Sequence, residues 1–142
     1  MTGAGKPPRP AETEPPLARV TGLDHVVLDV ADARRSLAWY GGLGLAPERL
    51  EEWEQGEAPF VSLRVDATTV IDLLETTRTG TNVDHLCLVL APGTDLGALA
   101  ASGRLDVVSG PSRVWGAQGW GEGLYVRDPD GNVVELRVYP EV

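Results

Sequence analysis

The sequence predicts an α+β fold assembled from two copies of one βαβββ plan, and three features lead there. "GLDHVVLDV" at 22–30 and "NVDHLCLVL" at 82–90 share an Asp-His pair followed by three apolar residues, and they contain the chain's only two histidines. Each is followed by a short stretch with apolar residues at helical spacing. Each half then closes on a related strand, "VIDLLE" at 70–75 and "VVELRV" at 133–138. A repeat of this kind gives two sheets, each with one helix-covered face and one bare face, and the bare faces must meet or line a cavity.

Length and composition set the frame for that plan. The 142 residues suit one domain with a sizeable core and are too few for two ordinary ones. A net charge of −9 argues against sequence-independent binding to nucleic acid or to an anionic membrane surface, so the expected partner is a small molecule. One cysteine forms no internal disulfide, no apolar run approaches the roughly 20 residues of a membrane span, and the first residues lack a secretory pattern. A soluble, cytoplasmic protein is expected, with a homodimer as its assembly. Residues 1–20, with five prolines before residue 20 and few bulky apolar side chains, read as an extended or disordered arm. Residues 21–142 form the single domain, with modules at about 22–78 and 82–140.

The first module opens with a strand at 23–30. "DARRSLAWYGG" follows, with Ala33, Leu37 and Tyr40 at i, i+4 and i+7 and Gly41-Gly42 as the stop. Trp39 and Tyr40 are expected in the core. Strands are predicted at 47–54, at 59–65 ("PFVSLRV", alternating) and at 69–75. The second module begins with strand 83–90 and continues into "TDLGALAAS", a helix with Thr94 as N-cap, Leu96, Leu99 and Ala100 on one face and Gly103 beyond its end. Strands near 105–109, 122–127 and 132–138 complete it. "DPDG" at 128–131 places Asp, Pro and Gly where a type I turn favours them.

Alternation along strands sorts the polar residues. Val26, Leu28 and Val30 form a row for the helix, which leaves His25, Val27 and Asp29 on the other face. In the second copy Leu86, Leu88 and Leu90 turn to the helix, and His85, Cys87 and Val89 away. By the same parity Asp72 opposes Ile71 and Leu73, and Glu135 opposes Val134, Leu136 and Val138. Offsets of 60 residues for the histidines and 63 for the carboxylates each approximate one repeat. Two imidazoles and two carboxylates thus point into one groove. His25, His85 and Glu135, with donors at ~2.0–2.2 Å, are an open ligand set for a divalent cation such as iron(II), manganese, nickel or zinc. Asp72, one methylene shorter than glutamate, is a fourth candidate whose reach to a shared cation is the shortest. Phe60, Ser62 and Arg64 share one face, as do Tyr125 and Arg127, while Arg137 shares that of Glu135; Phe60, Ser62, Arg64, Tyr125 and Arg137 are candidate substrate contacts. Trp115 and Trp120, in the glycine-rich "VWGAQGWGEG", are expected on a mobile loop, where they either close over a planar substrate or cap the barrel or meet a second subunit. Cys87 reads as a buried filler rather than a nucleophile.

The fragments "LDHVVLDV", "SLAWYGGLGL", "VIDLLE", "VDHLCLVL" and "GLYVRDPDGNVVELRVY", in that order over roughly 22–140, resemble the vicinal oxygen chelate superfamily of glyoxalases, fosfomycin- and bleomycin-resistance proteins and extradiol dioxygenases. The resemblance implies that the paired modules form an eight-stranded, partly open barrel. It places metal ligands on His25, His85 and Glu135, with Asp72 standing where glyoxalases present glutamate, as a displaceable carboxylate and the candidate general base. A metal-dependent enzyme follows, of lyase, isomerase or ring-cleaving dioxygenase type, acting on a small oxygen-rich substrate chelated through adjacent oxygens. The alternative from the same family is a binding protein that sequesters an antibiotic or other natural product. The presence of all three ligands favours the enzyme, because binding-only relatives commonly lack the set.

Overall fold

The two Asp-His strands meet at the centre of the molecule. In the computed structural model, which describes residues 15–141, β1 (Val20–Val30) pairs antiparallel with β5 (Val83–Leu90). The modules therefore join within one chain. Each central strand pairs in parallel with the last strand of its own module, β1 with β4 (Val70–Glu75) and β5 with β8 (Val133–Val138). Outward on one side lie β3 (Val61–Arg64) and β2 (Ala46–Glu48), and on the other β7 (Gly119–Arg127) and β6 (Asp106–Gly116). The order β2-β3-β4-β1-β5-β8-β7-β6 reads the same way from the centre in both directions, and the eight strands form a mixed sheet that stays open at β2 and β6.

Two apolar clusters hold the modules. Helix α1 (Ala33–Gly41), capped by the Asp32 side chain accepting from Arg35 N–H, sets Ala33, Leu37 and Tyr40 against Val61, Leu63 and Leu73. Helix α3 (Leu96–Ala101) sets Leu96 and Leu99 against Leu90, Leu124 and Val126. Each fully buried leucine contributes on the order of 1.5–3 kcal/mol, so these rows suffice to fix which sheet face the helices cover. Leu17 and Ala18, inside the expected N-terminal arm, pack against the second cluster. The rest of that arm, residues 1–14, lies outside the described residues. Among the described residues no helix is long and apolar enough to cross a membrane.

Four local expectations are corrected. The stretch 47–54 is a strand only over Ala46–Glu48 and then turns into helix α2 (Leu50–Glu54). Leu50 and Trp53, three apart, both pack on the first cluster; a helix puts them on one face, whereas a strand would split them. Trp39 is 65% exposed, because it lies off the Ala33–Leu37–Tyr40 face of α1. Asp95, not Thr94, caps α3, accepting from Ala98 N–H, while the Thr94 hydroxyl donates to the Ala91 carbonyl. Finally, 114–123 is not a loop but the end of the β6–β7 hairpin, with Trp115 opposite Trp120. Its glycines serve close packing: a Cβ on Gly116 would stand 2.5 Å from Arg137 Cζ, and one on Gly123 2.8 Å from Val114 Cγ2.

Candidate metal centre

Asp24 and His25 are neighbours on β1, and plain alternation would send them to opposite faces. The β1–β5 register prevents that. It slips once between Leu23 and His25 and again between Val27 and Leu28, so Asp24 on one strand and Asp84 on the other have no partner across the ladder. Such bulges re-aim a side chain. Each aspartate swings onto its own histidine: Asp24 Oδ2 lies 2.6 Å from His25 Nδ1, and Asp84 Oδ2 lies 2.7 Å from His85 Nδ1. With Nδ1–H donated to a carboxylate, the neutral imidazole presents the lone pair of Nε2.

Both Nε2 atoms converge on Glu135. His25 Nε2 is 3.2 Å from His85 Nε2 and 3.5 Å from Glu135 Oε1, and His85 Nε2 is 3.4 Å from the same oxygen. Donors about 2.1 Å from one cation and 90–109° apart around it lie about 3.0–3.4 Å from each other, so this near-equilateral triangle has the size that a three-ligand site needs. Two nitrogens and one carboxylate oxygen fit a divalent metal in kind as well as in spacing. His25 and Glu135 are buried and His85 nearly so.

The electrostatics show which charge the cluster favours. Burial opposes charge on His25, yet hydrogen bonds with Asp24, Cys87 and Glu135 push its pKa up to about 12. His85 is raised too, burial being outweighed by Glu135 and Asp84. Burial would raise Glu135, but His25, His85 and the Arg137 guanidinium hold it far below the usual carboxylate range. Asp24 is likewise lowered, its burial offset by bonds from His25, the Ala117 N–H and the Tyr139 hydroxyl. A group of carboxylates facing two imidazoles thus draws protons onto the imidazoles, and a cation would satisfy the same demand for positive charge.

Glu135 is braced from behind. Arg137 Nε donates to its Oε2 at 2.9 Å, and the Cys87 thiol donates to the same oxygen at 3.1 Å. Oε1 is left to face the histidines. Cys87 is fully buried, and burial pushes its thiol up to about 12, so it is held as a donor rather than a thiolate. Asp72 occupies the matching place in the first module, opposite Val27 as Glu135 is opposite Cys87. Its Oδ2 stands 4.0 Å from His25 Nε2, and its Oδ1 accepts from the Ser62 hydroxyl at 2.5 Å. Burial raises the Asp72 pKa, only partly offset by His25 and Ser62.

The triangle opens into a cavity of about 290 Å3. Of the expected substrate contacts, Phe60, Trp115, Trp120 and Tyr125 line it together with the three candidate ligands. Ser62, Arg64 and Arg137 do not. Ser62 is committed to Asp72. Arg64 grips Glu48 through Nε at 2.9 Å and Nη2 at 2.8 Å, and also donates to the Ala117 carbonyl. Arg137, fully buried, donates to Glu135 and to the carbonyls of Val114 and Trp115. Alternation placed these three on the right face; their short distance to local acceptors decides their use. Sequence reasoning missed Asp24, Asp84 and Tyr139, which orient the histidines, and Arg49 and Arg113, which line the cavity. The doubled Asp-His pair was the available signal for the aspartates.

Comparison with known proteins agrees with this architecture. The family model described as Glyoxalase/Bleomycin resistance protein/Dioxygenase superfamily matches residues 22–136. Among solved structures, the Mn(II)-bound glyoxalase from Novosphingobium aromaticivorans superposes with a TM-score of 0.61 at 22% identity, over 88% of this chain and 42% of that one. Methylmalonyl-CoA epimerase from Mycobacterium tuberculosis gives 0.61 at 20% identity, over 91% and 95%. A glutamine-to-alanine variant of Streptomyces coelicolor methylmalonyl-CoA epimerase, in complex with 2-nitronate-propionyl-CoA, gives 0.62 at 21% identity, over 86% and 99%. Among curated proteins, none matches the chain.

Proposed function

We propose, from the premise that the chain belongs to the Glyoxalase/Bleomycin resistance protein/Dioxygenase superfamily, that it is a metal-dependent enzyme acting on a small oxygen-rich substrate bound through adjacent oxygens. The observation that carries this reading is the triangle of His25, His85 and Glu135, with each imidazole fixed by its own aspartate. The Mn(II) named for the Novosphingobium glyoxalase supports a divalent cation, with iron, manganese, nickel and zinc all suited to this donor set. Such a cation supplies Lewis acidity, which offsets negative charge developing on substrate oxygen.

The protein's own residues do the rest. Asp24 and Asp84 hold both imidazoles in one tautomer and orientation. Arg137 and Cys87 fix the carboxylate plane of Glu135. Asp72 does not line the cavity, but it is buried behind it with its Oδ2 4.0 Å from His25 Nε2, its basicity raised by that burial and its Oδ1 bonded to Ser62, which supports it as the base that takes a proton from bound substrate. Phe60, Trp115 and Tyr125 supply flat apolar walls that exclude water. Proton abstraction next to a carbonyl or hydroxyl, as in a lyase or isomerase, uses all of these groups; ring cleavage by dioxygen uses the ligand triangle and the aromatic walls. The small volume of the cavity favours a compact substrate over the sequestration of a large antibiotic. Trp39 and Leu43, exposed near the end of α1, support a homodimer, and the single buried free thiol of Cys87 suits a cytoplasmic setting.

Elemental analysis of protein purified without chelators and then loaded with each metal tests this reading. About one equivalent of divalent metal per chain is expected, and Asp72→Asn is expected to lower turnover while leaving occupancy unchanged. Metal below about a tenth of an equivalent under loading conditions contradicts it.

A further inference from the structure

We propose that the ligand of this cavity is an anion, a compact planar molecule whose carboxylate is met at the cavity wall by Arg49 and Arg113, beyond the oxygens held at the metal. The inference rests on the metal-centre reading above and names the substrate class for it. Its basis is the different way in which the arginines are used. Arg34, Arg64, Arg127 and Arg137 each face a carboxylate within 4.0 Å. Arg49 and Arg113, among the described residues, are held instead by indole faces: Arg49 Cζ lies 4.5 Å from the Trp115 ring centre, and Arg113 Cζ lies 4.0 Å from that of Trp120. The two indoles pack edge to face at 5.3 Å, so the four side chains form one continuous wall.

Stacking occupies the face of a guanidinium and leaves its N–H edge free, the edge that matches the two oxygens of a carboxylate. Acidic groups near these arginines do not take it up. Glu57 lines the same cavity and Glu122 stands across the ladder from Arg113, yet neither forms an ion pair with Arg49 or Arg113 among the described residues. Arg49 also sits at φ 57, the left-handed region that a non-glycine residue rarely adopts, at the junction of β2 and α2. A protein with net charge −9 repels anions in general, so two cations that no described carboxylate pairs, on the wall of the cavity, supply local positive charge for an anionic ligand. The inner end of the cavity is fitted to a cation and the wall to an anion, which is the pattern for a chelating ligand that carries a separate carboxylate.

Two chelators that differ by one carboxylate test this: catechol and 3,4-dihydroxybenzoate, titrated into manganese-loaded protein by tryptophan fluorescence and calorimetry. Dihydroxybenzoate is expected to bind about ten-fold more tightly, with the preference shrinking as salt rises. Arg49→Gln and Arg113→Gln are expected to reduce that preference, read as the ratio of the two affinities in each variant, to about two-fold or less, with the affinity for Mn2+ kept. Equal binding of the two chelators, binding of neither, or a preference that survives both substitutions overturns the proposal and leaves the metal centre standing. Failure of Mn2+ itself to bind overturns the reading beneath it.

Discussion

Replacing Arg137 by methionine removes the one guanidinium that, among the described residues, touches Glu135, while keeping most of the buried volume of the side chain. Arg137 is fully buried and makes three charge-assisted bonds, to Glu135 Oε2 at 2.9 Å, the Val114 carbonyl at 3.0 Å and the Trp115 carbonyl at 2.9 Å. Breaking a buried ion pair by deleting one partner costs about 3–5 kcal/mol, and each carbonyl left without a donor adds about 1–3 kcal/mol unless water reaches it. The imidazoles beside Glu135, whose hydrogen bonds also favour its charged form, return part of this, and such losses do not add fully, so about 4 kcal/mol is expected for the metal-free protein. For a domain of this size that corresponds to a fall in Tm of roughly 10–15 °C. Urea unfolding followed by circular dichroism measures it, with and without Mn2+. A saturating divalent cation is expected to restore part of the loss, because it takes over the neutralisation of Glu135. A loss below about 1 kcal/mol in the metal-free protein would refute the argument that Arg137 is the buried counter-ion of the site.

Asp24→Asn and Asp84→Asn each weaken the hold on an imidazole and are expected to lower Mn2+ affinity about 10- to 100-fold, Asp24→Asn the more because Asp24 also accepts from Ala117 and Tyr139; isothermal titration checks both. In metal-free protein the pKa of His25 is pushed up to about 12 and that of His85 is raised, so the stabilisation from each is complete below about pH 6.5; that of His25 is lost as the pH rises toward 12 and that of His85 as the pH rises through its raised pKa, at up to about 1.4 kcal/mol per pH unit for each group. Glu135, depressed, contributes above about pH 4.5 and loses its contribution as the pH falls. Denaturation midpoints are therefore expected to drop between pH 6.5 and 9 without metal and to hold with it; a rise over that range without metal contradicts the assignment. Gly116→Ala, whose Cβ would meet Arg137 Cζ at 2.5 Å and the Tyr139 hydroxyl at 2.6 Å, is expected to cost about 2 kcal/mol by thermal denaturation, although alanine ordinarily stabilises a strand relative to glycine.

Strand parity and the internal repeat carried the fold and the convergence of His25, His85 and Glu135, because both depend on side-chain direction, which a period of two residues fixes without tertiary knowledge. His25, His85 and Glu135 are far apart in sequence, yet each could be assigned to the helix-free face from its apolar neighbours alone. Features that depend on departures from regularity were illegible. The bulges that turn Asp24 and Asp84 toward the histidines defeat alternation, and the doubled Asp-His pair singles the aspartates out without showing which way they turn. Arg64 and Arg137 show the other limit: parity gives the face, but whether an arginine meets a ligand or a nearby acceptor depends on the heights of Glu48 and of the Val114 and Trp115 carbonyls, which only packing determines. The glycines of 114–123 read as mobility because composition does not distinguish a loop from a tight hairpin laid over a buried arginine.

Anomalous diffraction from crystals of the full chain soaked in Mn2+ addresses the metal centre directly. One strong peak is expected, about 2.0–2.3 Å from His25 Nε2, His85 Nε2 and Glu135 Oε1, and its loss is expected in His85→Ala. No peak at saturating Mn2+, or a peak away from these three atoms, would contradict the account.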